Sequence, residues 1–503
     1  MSAGNFYSRF AQVFAANAER TAITSADGAL RLSFGDLAHA AARYANALAA
    51  LGVEAGDRVT VQVEKSPESV FLYLAVMKLG AVYQPLNTAY TAAEVAYFVE
   101  DAAPKLIVCD PSRQQEMRAL GDQHKVFAVA NLDHRGEGSL ATLAATMDGR
   151  HDTAARDADD LAGLLYTSGT TGRSKGAMIT HGNLASNAET LVALWRITSG
   201  DRLLHALPVF HVHGLYVALN TAFLAASEIV WFSKFDAAAM LEAMPRATLM
   251  MGVPTFYTRL LGEDRLTREA CRTMRLFISG SAPLLAETHQ AFAARTGHAI
   301  LERYGMTETG IITSNPYDGE RLPGSVGFAL PGVAVRINGS QPGVIEVKGP
   351  NVFKGYWRMP EKTREDFTED GYFITGDVGV IDETGRVSIV GRARDLIISG
   401  GFNVFPKEIE EVLDALPGVG ESAVIGVPHP DFGEGVVAVV TARAPLAPEA
   451  EIVAALSRKL ARFKVPKRIF EVAELPRNAM GKVQKAALRR RYADCFKPAG
   501  RGG

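Results

Sequence analysis

Cysteine is scarce: Cys109, Cys271 and Cys495 are the only three in 503 residues, and they stand far apart. No two share the close spacing of a zinc site or a disulfide framework, so we read them as buried or incidental thiols. Long apolar runs are missing too. The longest, near Phe71–Tyr83 and Leu215–Phe232, are broken by Lys78, Asn220 and Glu228, short of the ~20 residues that a membrane span needs. The opening Met1–Phe10 has no basic region followed by an apolar core and a small-residue cleavage site, and does not read as a secretory signal. A net charge of -2 gives no electrostatic reason to expect nucleic acid or an anionic membrane as partner. Low-complexity segments and internal repeats are not evident. These absences predict a soluble, cytoplasmic protein whose basic sites are local.

What is present is ordinary for a globular protein, 48% apolar and 21% charged. The length exceeds what one hydrophobic core usually supports, so at least two domains are expected, one large enough to enclose a substrate cavity. From Arg58 to Asp110 the chain alternates an expected strand (Val59–Val63), helix (Pro67–Leu79), strand (Ala81–Leu86), helix (Ala92–Glu100) and strand (Lys105–Cys109). This βαβαβ order implies a mostly parallel sheet covered by helices. The alternation returns between Arg202 and Ile300, where Ala247–Met251 and Leu276–Ser279 each run into a helix, predicting a second α/β layer. Gly324–Val390 is punctuated by Gly and Pro, with short strands Val333–Ile337, Val344–Val347 and Arg386–Val390, and suggests a small β-barrel or sheet. Beyond Gly391–Asp395 a short α+β unit follows. We place a boundary at Arg394, separating residues 1–393 from 394–503, with a frayed tail from Lys497.

The loop Tyr166–Gly176 follows the apolar run Leu161–Leu165 and therefore sits at a strand end. The backbone around Gly169 and Gly172 can turn N–H groups inward, while Thr167, Ser168, Thr170 and Thr171 add hydroxyl donors and Lys175 adds a charge. Together these suit a polyphosphate. The spacing of a Walker A loop is absent. A flexible polar turn is the alternative reading of the same composition.

Here the sequence resembles the acyl-adenylate-forming superfamily, which includes acyl-CoA synthetases, firefly luciferase and peptide-synthetase adenylation domains. After Tyr166–Gly176, segments matching that family follow in order at Gly280-Ser281-Ala282-Pro283, Glu302-Arg303-Tyr304-Gly305-Met306-Thr307-Glu308, Ile374–Asp377, Gly391-Arg392 and Pro476–Lys482. Read singly, these residues are unremarkable: a core tyrosine, a surface glutamate, a turn aspartate, one cation in a basic tail. The resemblance implies an α/β fold with a large N-terminal ATP- and acid-binding domain and a smaller, mobile α+β C-terminal domain. It implies ATP, Mg²⁺ and coenzyme A as cofactor and co-substrates. Tyr304 with Gly305 then forms the adenine platform, and Glu308 with Thr170 holds Mg²⁺, an ion that prefers hard oxygen ligands. Thr307 joins them at the reacting phosphate. Asp377 accepts from both ribose hydroxyls, with Arg392 as a second contact. Lys482 is the mobile catalytic lysine, Arg394 the hinge, and Gly400, Gly401 and Phe402 line the pantetheine tunnel. Relatives usually carry aspartate or lysine where Arg394 stands.

The reason for a lysine at such a site is electrostatic. At ~4 Å and an effective dielectric of ~20, a unit pair of anions repels by about 4 kcal/mol, and a cation between carboxylate and α-phosphate offsets that repulsion in the transition state. Acetylation by a lysine acetyltransferase would remove that charge and should suppress adenylation more than thioester formation.

Acyl selectivity is expected from Leu207–Gly214, from the helix opening at Pro254, and from Ser279-Gly280, near the carboxyl edge of a sheet where open α/β folds bind ligands. Gly252–Arg259 and Phe210–Gly214 resemble malonyl-CoA synthetases, which implies that Arg259 and His211 meet a distal carboxylate. A buried Arg259 left unpaired by a monocarboxylic acid would cost roughly 3–5 kcal/mol of selectivity. Alternatively Arg259 lies on a solvated face and His211 is an aromatic gate. The expected partners are thus small molecules: a short dicarboxylic acid, ATP and CoA, with a methylmalonate ligase or a carrier-loading adenylation enzyme as alternatives.

Overall fold

The computed structural model describes residues 4–167, 174–399, 402–478 and 481–496. Local sequence signals set the helix starts. Ser66 caps Pro67–Lys78, with Pro67 at the first helical position, and the Ser69 amide returns to the Ser66 hydroxyl at 3.1 Å. Thr91 and Glu94 form the reciprocal capping box of Ala92–Ala102, as do Thr180 and Asn183 for His181–Leu194.

The expected βαβαβ unit forms as strands Arg58–Gln62, Val82–Pro85 and Leu106–Cys109 with helices Pro67–Lys78 and Ala92–Ala102 between them. These strands pair in parallel within a six-stranded sheet, whose edge hairpin joins Leu161–Thr167 to Lys175–Thr180. The second α/β layer is the parallel part of a thirteen-stranded ladder, where Arg202–His205, Leu249–Gly252, Leu276–Ser279 and Leu301–Met306 run side by side. The Gly- and Pro-punctuated stretch supplies antiparallel strands Ser325–Ala329, Ala334–Asn338, Gly343–Lys348, Phe373–Ile381 and Val387–Arg392, which continue that same ladder.

The smaller α+β region carries a five-stranded sheet with a separate core on each face. Along Val419–His429, Val424 faces helices Pro406–Asp414 and Glu449–Ser457, while Ala423 and Ile425 face Leu475 and Leu488, as the two-residue period of a strand requires. Cys109, Cys271 and Cys495 are free thiols. Among the described residues no helix is long and apolar enough to cross a membrane.

A buried ion pair ties the second layer together. The Asp201 carboxylate accepts from Arg275 Nε and Nη2, both at 2.7 Å, from the Thr198 amide at 2.8 Å and from the Thr248 hydroxyl at 2.7 Å. Asp201→Ala takes this acceptor from Arg275 Nε, the Thr198 amide and the Thr248 hydroxyl, while Nη1 and Nη2 keep the Trp195 and Arg196 carbonyls. We expect a loss of about 3 kcal/mol, read as a lower urea midpoint of the large domain.

Candidate active site

The parallel strands end in register. Gly252 lies opposite Ser279, and Ser279 opposite Glu302, so three chain segments distant in sequence meet at one sheet edge. From that edge come helix Pro254–Leu261, the turn through Gly280 and Ser281, and Arg303 followed by Tyr304.

Arg303 is buried, and its Nε and Nη2 have no hydrogen-bond partner among the described residues. Burial pushes its guanidinium down to about 10, still charged at neutral pH. Its fork lies flat on Gly280, where a Cβ would come within 2.3 Å of the guanidinium carbon, so only glycine permits this approach. The Ser279 hydroxyl beside it is buried and has no hydrogen-bond partner among the described residues, and the Ser281 hydroxyl lies 3.2 Å from His213 Nδ1. His211 is half-buried. Burial and the charges of Lys482 and Arg303 push it down to about 3, which keeps it neutral. It can therefore donate or accept a hydrogen bond but does not supply charge.

Arg259 is placed differently from the buried residue assumed in the selectivity argument. On Pro254–Leu261 the core side belongs to Tyr257 and Leu260, which leaves Arg259 exposed with no ion pair among the described residues. Its helix still faces the cleft, because a Cβ on Gly481 would come within 3.7 Å of Thr255, one turn before Arg259. The penalty for an unpaired buried cation applies to Arg303. In the sequence Arg303 stands beside Tyr304 in a segment whose resemblance implies nucleotide binding, and nothing in the order of residues tells which member of that run turns inward.

The side expected to meet the nucleotide is built from hydroxyls and carboxylates. Ser168, Gly169, Thr170, Thr171 and Gly172 lie outside the described residues, as do Gly400 and Gly401. The phosphate loop's ends are fixed by the pairing of Thr167 with Lys175. The Thr167 hydroxyl donates to Glu308 Oε1 at 3.0 Å and the Tyr356 hydroxyl to the same oxygen at 3.3 Å. Lys175 is buried, 4.1 Å from the Tyr356 ring centroid and 3.5 Å from Asp366. Tyr356 and Asp366 were not foreseen from sequence, since neither sits in a recognised motif.

Asp377 is buried and held on both oxygens, by the Tyr304 hydroxyl at 2.6 Å and Arg392 Nε at 2.9 Å. Asp377 and Arg392 are cross-strand partners, which explains why segments fifteen residues apart act together. Burial, then the Asp377 charge, pushes the Tyr304 phenol well up, so it stays a donor. Glu302, buried and pushed up to about 7, accepts from the Gly324 amide at 3.2 Å. Gly305, Met306 and Thr307 are half-buried along the same segment, while Ala282 is half-buried and Pro283 exposed after Ser281.

Lys482 enters from the smaller region. Its amide is held by Asn478 Oδ1 at 3.0 Å. Its side chain keeps contact with solvent, yet crowding by protein and the Arg392 charge push its ammonium down to about 8, against the pull of Asp377 and Glu308. Lys482 thereby stands within electrostatic reach of Arg392, Asp377, Glu308, Arg303 and His211. Phe402 is exposed and stacks on Phe463 at 4.6 Å, and Arg394 is exposed in the turn Ala393–Asp395.

Residues 10–357 match the family model described as AMP-binding enzyme, and residues 408–482 that of the AMP-binding enzyme C-terminal domain. The chain belongs to the AMP-binding enzyme family. Within it, ATP-bound MatB from Rhodopseudomonas palustris is 54% identical with a TM-score of 0.95, over 98% of this chain and 100% of that one. Apo MatB gives a TM-score of 0.83 at 55% identity, over 98% and 100%, so this AMP-binding enzyme is arranged more as the ATP-bound form. A malonate–CoA ligase of Arabidopsis thaliana is 35% identical, over 86% of this chain and 78% of that protein. A feruloyl-CoA synthase of an Amycolatopsis species is also 35% identical, over 92% and 95%. This AMP-binding enzyme is an acyl-CoA ligase that uses ATP and CoA.

Asp377→Asn keeps the shape but removes the charge that pairs with Arg392 and would meet ribose. The KM for ATP should rise about tenfold, with the acid KM little changed, in an acid-dependent pyrophosphate exchange assay.

Proposed function

We propose that this ligase joins malonate to coenzyme A through malonyl-AMP. One observation carries the reading: a buried, charged guanidinium, Arg303, whose Nε and Nη2, like the Ser279 hydroxyl beside it, have no partner among the described residues. A dicarboxylate offers the oxygens such a fork pairs with, whereas a monocarboxylate leaves it unpaired. His211, kept neutral, and Ser281 with His213 complete a polar surround. Arg259 stands near the cleft, where it could attract a dianion without burying its own charge.

In the first half-reaction an oxygen of the near carboxylate attacks the α-phosphorus of ATP, and the bond to the β-phosphate oxygen breaks, releasing diphosphate. Lys482 lies between the two anions and lowers their repulsion. Tyr304, Asp377 and Arg392 hold adenine and ribose. In the second half-reaction the CoA sulfur attacks the acyl carbon, AMP leaves, and the thiol proton passes to solvent. Glu308 fits Mg²⁺: a single buried carboxylate is a usual protein contribution for an ion that takes its other ligands from phosphate and water. Thr170 is the second residue proposed to hold it. When bound, that ion would neutralise phosphate charge. The rotation about Arg394, the tunnel at Gly400, Gly401 and Phe402, and acetylation of Lys482 are parts of the same proposal.

The experiment is AMP release by purified protein with ATP, Mg²⁺, CoA and a panel of acids. Malonate should exceed acetate and butyrate. Equal or better rates with the unsubstituted acids would refute the assignment, and a preference for methylmalonate would move it to that acid. Running CoA against carrier proteins separates a free-thiol ligase from a carrier-loading enzyme.

A further inference from the structure

Lys65 is a buried lysine with no part in the chemistry above. It leaves the six-stranded sheet after Arg58–Gln62 and directly precedes the cap residue Ser66. It forms no ion pair among the described residues. Its ammonium instead meets three acceptors: His205 Nδ1 at 2.9 Å, the His205 carbonyl at 2.8 Å and the Phe232 carbonyl at 2.7 Å. The Trp231 ring centroid lies 4.2 Å away. A buried cation without a counter-ion is costly, and an apolar side chain of similar length would fit the same core at lower cost. What the lysine supplies is three directed donors.

Those donors fix the next residue. The Gly214 carbonyl 2.9 Å from His205 Nε2 can only accept, so Nε2 carries the imidazole proton and Nδ1 accepts from Lys65, the tautomer that both neighbours require. The ring is held flat by stacking on Trp231, at 5.5 Å and 15°. Gly214 is the second residue of the π-helix His213–Leu219, and a Cβ there would meet the Pro208 carbonyl at 2.1 Å. That helix presents His213 to Ser281 and carries the Tyr216 hydroxyl, which has no hydrogen-bond partner among the described residues. Such π-turns are rare and are frequently found at functional sites.

We propose that Lys65, acting through His205, is a positioning residue for the acid pocket: it sets the His205 tautomer and so anchors the Gly214 carbonyl from which the π-helix starts. The six-stranded sheet thereby holds the wall of a pocket built on the larger ladder. The inference rests on the acid lying beside Arg303 and His213, and on no particular acid.

The test is acid-dependent pyrophosphate exchange, with each variant compared with wild type on malonate and on the best acid of the panel. Lys65→Met removes the donors at similar length. His205→Phe keeps the stack on Trp231 and loses both hydrogen bonds. Each should raise the acid KM about tenfold or more while the ATP KM stays within about twofold. His205→Gln offers an oxygen to Lys65 and an N–H to Gly214, and should bring the acid KM back to within about threefold of wild type. Parallel changes in both KM values, or a glutamine variant no better than phenylalanine, would overturn the proposal. If Lys65→Met does not fold, the two His205 variants decide between these outcomes. A failure of the malonate reading would show instead in the wild-type order of acids.

Discussion

Lys482→Met should lower the rate of adenylate formation by about 10³-fold, while thioester formation from preformed acyl-adenylate falls much less. The magnitude follows from removing a preorganised charge at the point where two anions meet, worth about 3–4 kcal/mol in comparable sites. The direction of the split follows from placement: Lys482 lies among Asp377, Glu308, Arg392 and Arg303 in this arrangement, where the nucleotide side and the acid side meet. Single-turnover measurement of each half-reaction checks it, and equal losses would contradict the role. A pH signature accompanies the prediction. The ammonium is the active form, and its value in the free protein is lowered to about 8. Adenylation kcat/KM should therefore hold below pH 8 and fall by about tenfold per unit above it. Lys482→Arg, always charged, should be slower but should lose that alkaline limb.

Arg303→Met should cost malonate several hundredfold in kcat/KM while leaving butyrate unchanged or improved. The guanidinium is buried, and its neighbours Ser279 and His211 bring no negative charge. A distal carboxylate would gain a paired fork, and truncating one partner of a buried charge pair costs about 2–5 kcal/mol. An aliphatic acid loses nothing, because methionine fills the same space without demanding a partner. Arg303→Lys restores the charge without the fork and should fall between the two. A parallel panel of acids decides the matter: equal losses for malonate and butyrate would show that Arg303 only supports the fold around Gly280.

Much of this was legible in the sequence where the signal is local. The alternation of strands and helices from Arg58 to Asp110 placed the three strands of that unit within a residue of where they lie. Tyr304, Asp377 and Arg392 could be singled out because each lies in a short ordered segment. What failed to show was contact across segments. Whether Arg259 or Arg303 is buried depends on which side of Pro254–Leu261 packs on the core and on how close Gly280 lets a side chain come. Lys65 is not singled out in the sequence, where it only precedes a helix. Its three acceptors come from the far ladder, some 140 residues or more away.

Asp377 has one more consequence. With one oxygen held by Tyr304 and the other by Arg392, the carboxylate cannot turn to suit whatever sugar arrives. Its remaining lone pairs point in fixed directions, and a pentose that lacks a hydroxyl leaves one of them facing nothing. On the proposed reading this carboxylate would also tell a ribonucleotide from its deoxy counterpart, because the Tyr304 hydroxyl and Arg392 fix the direction in which it can accept.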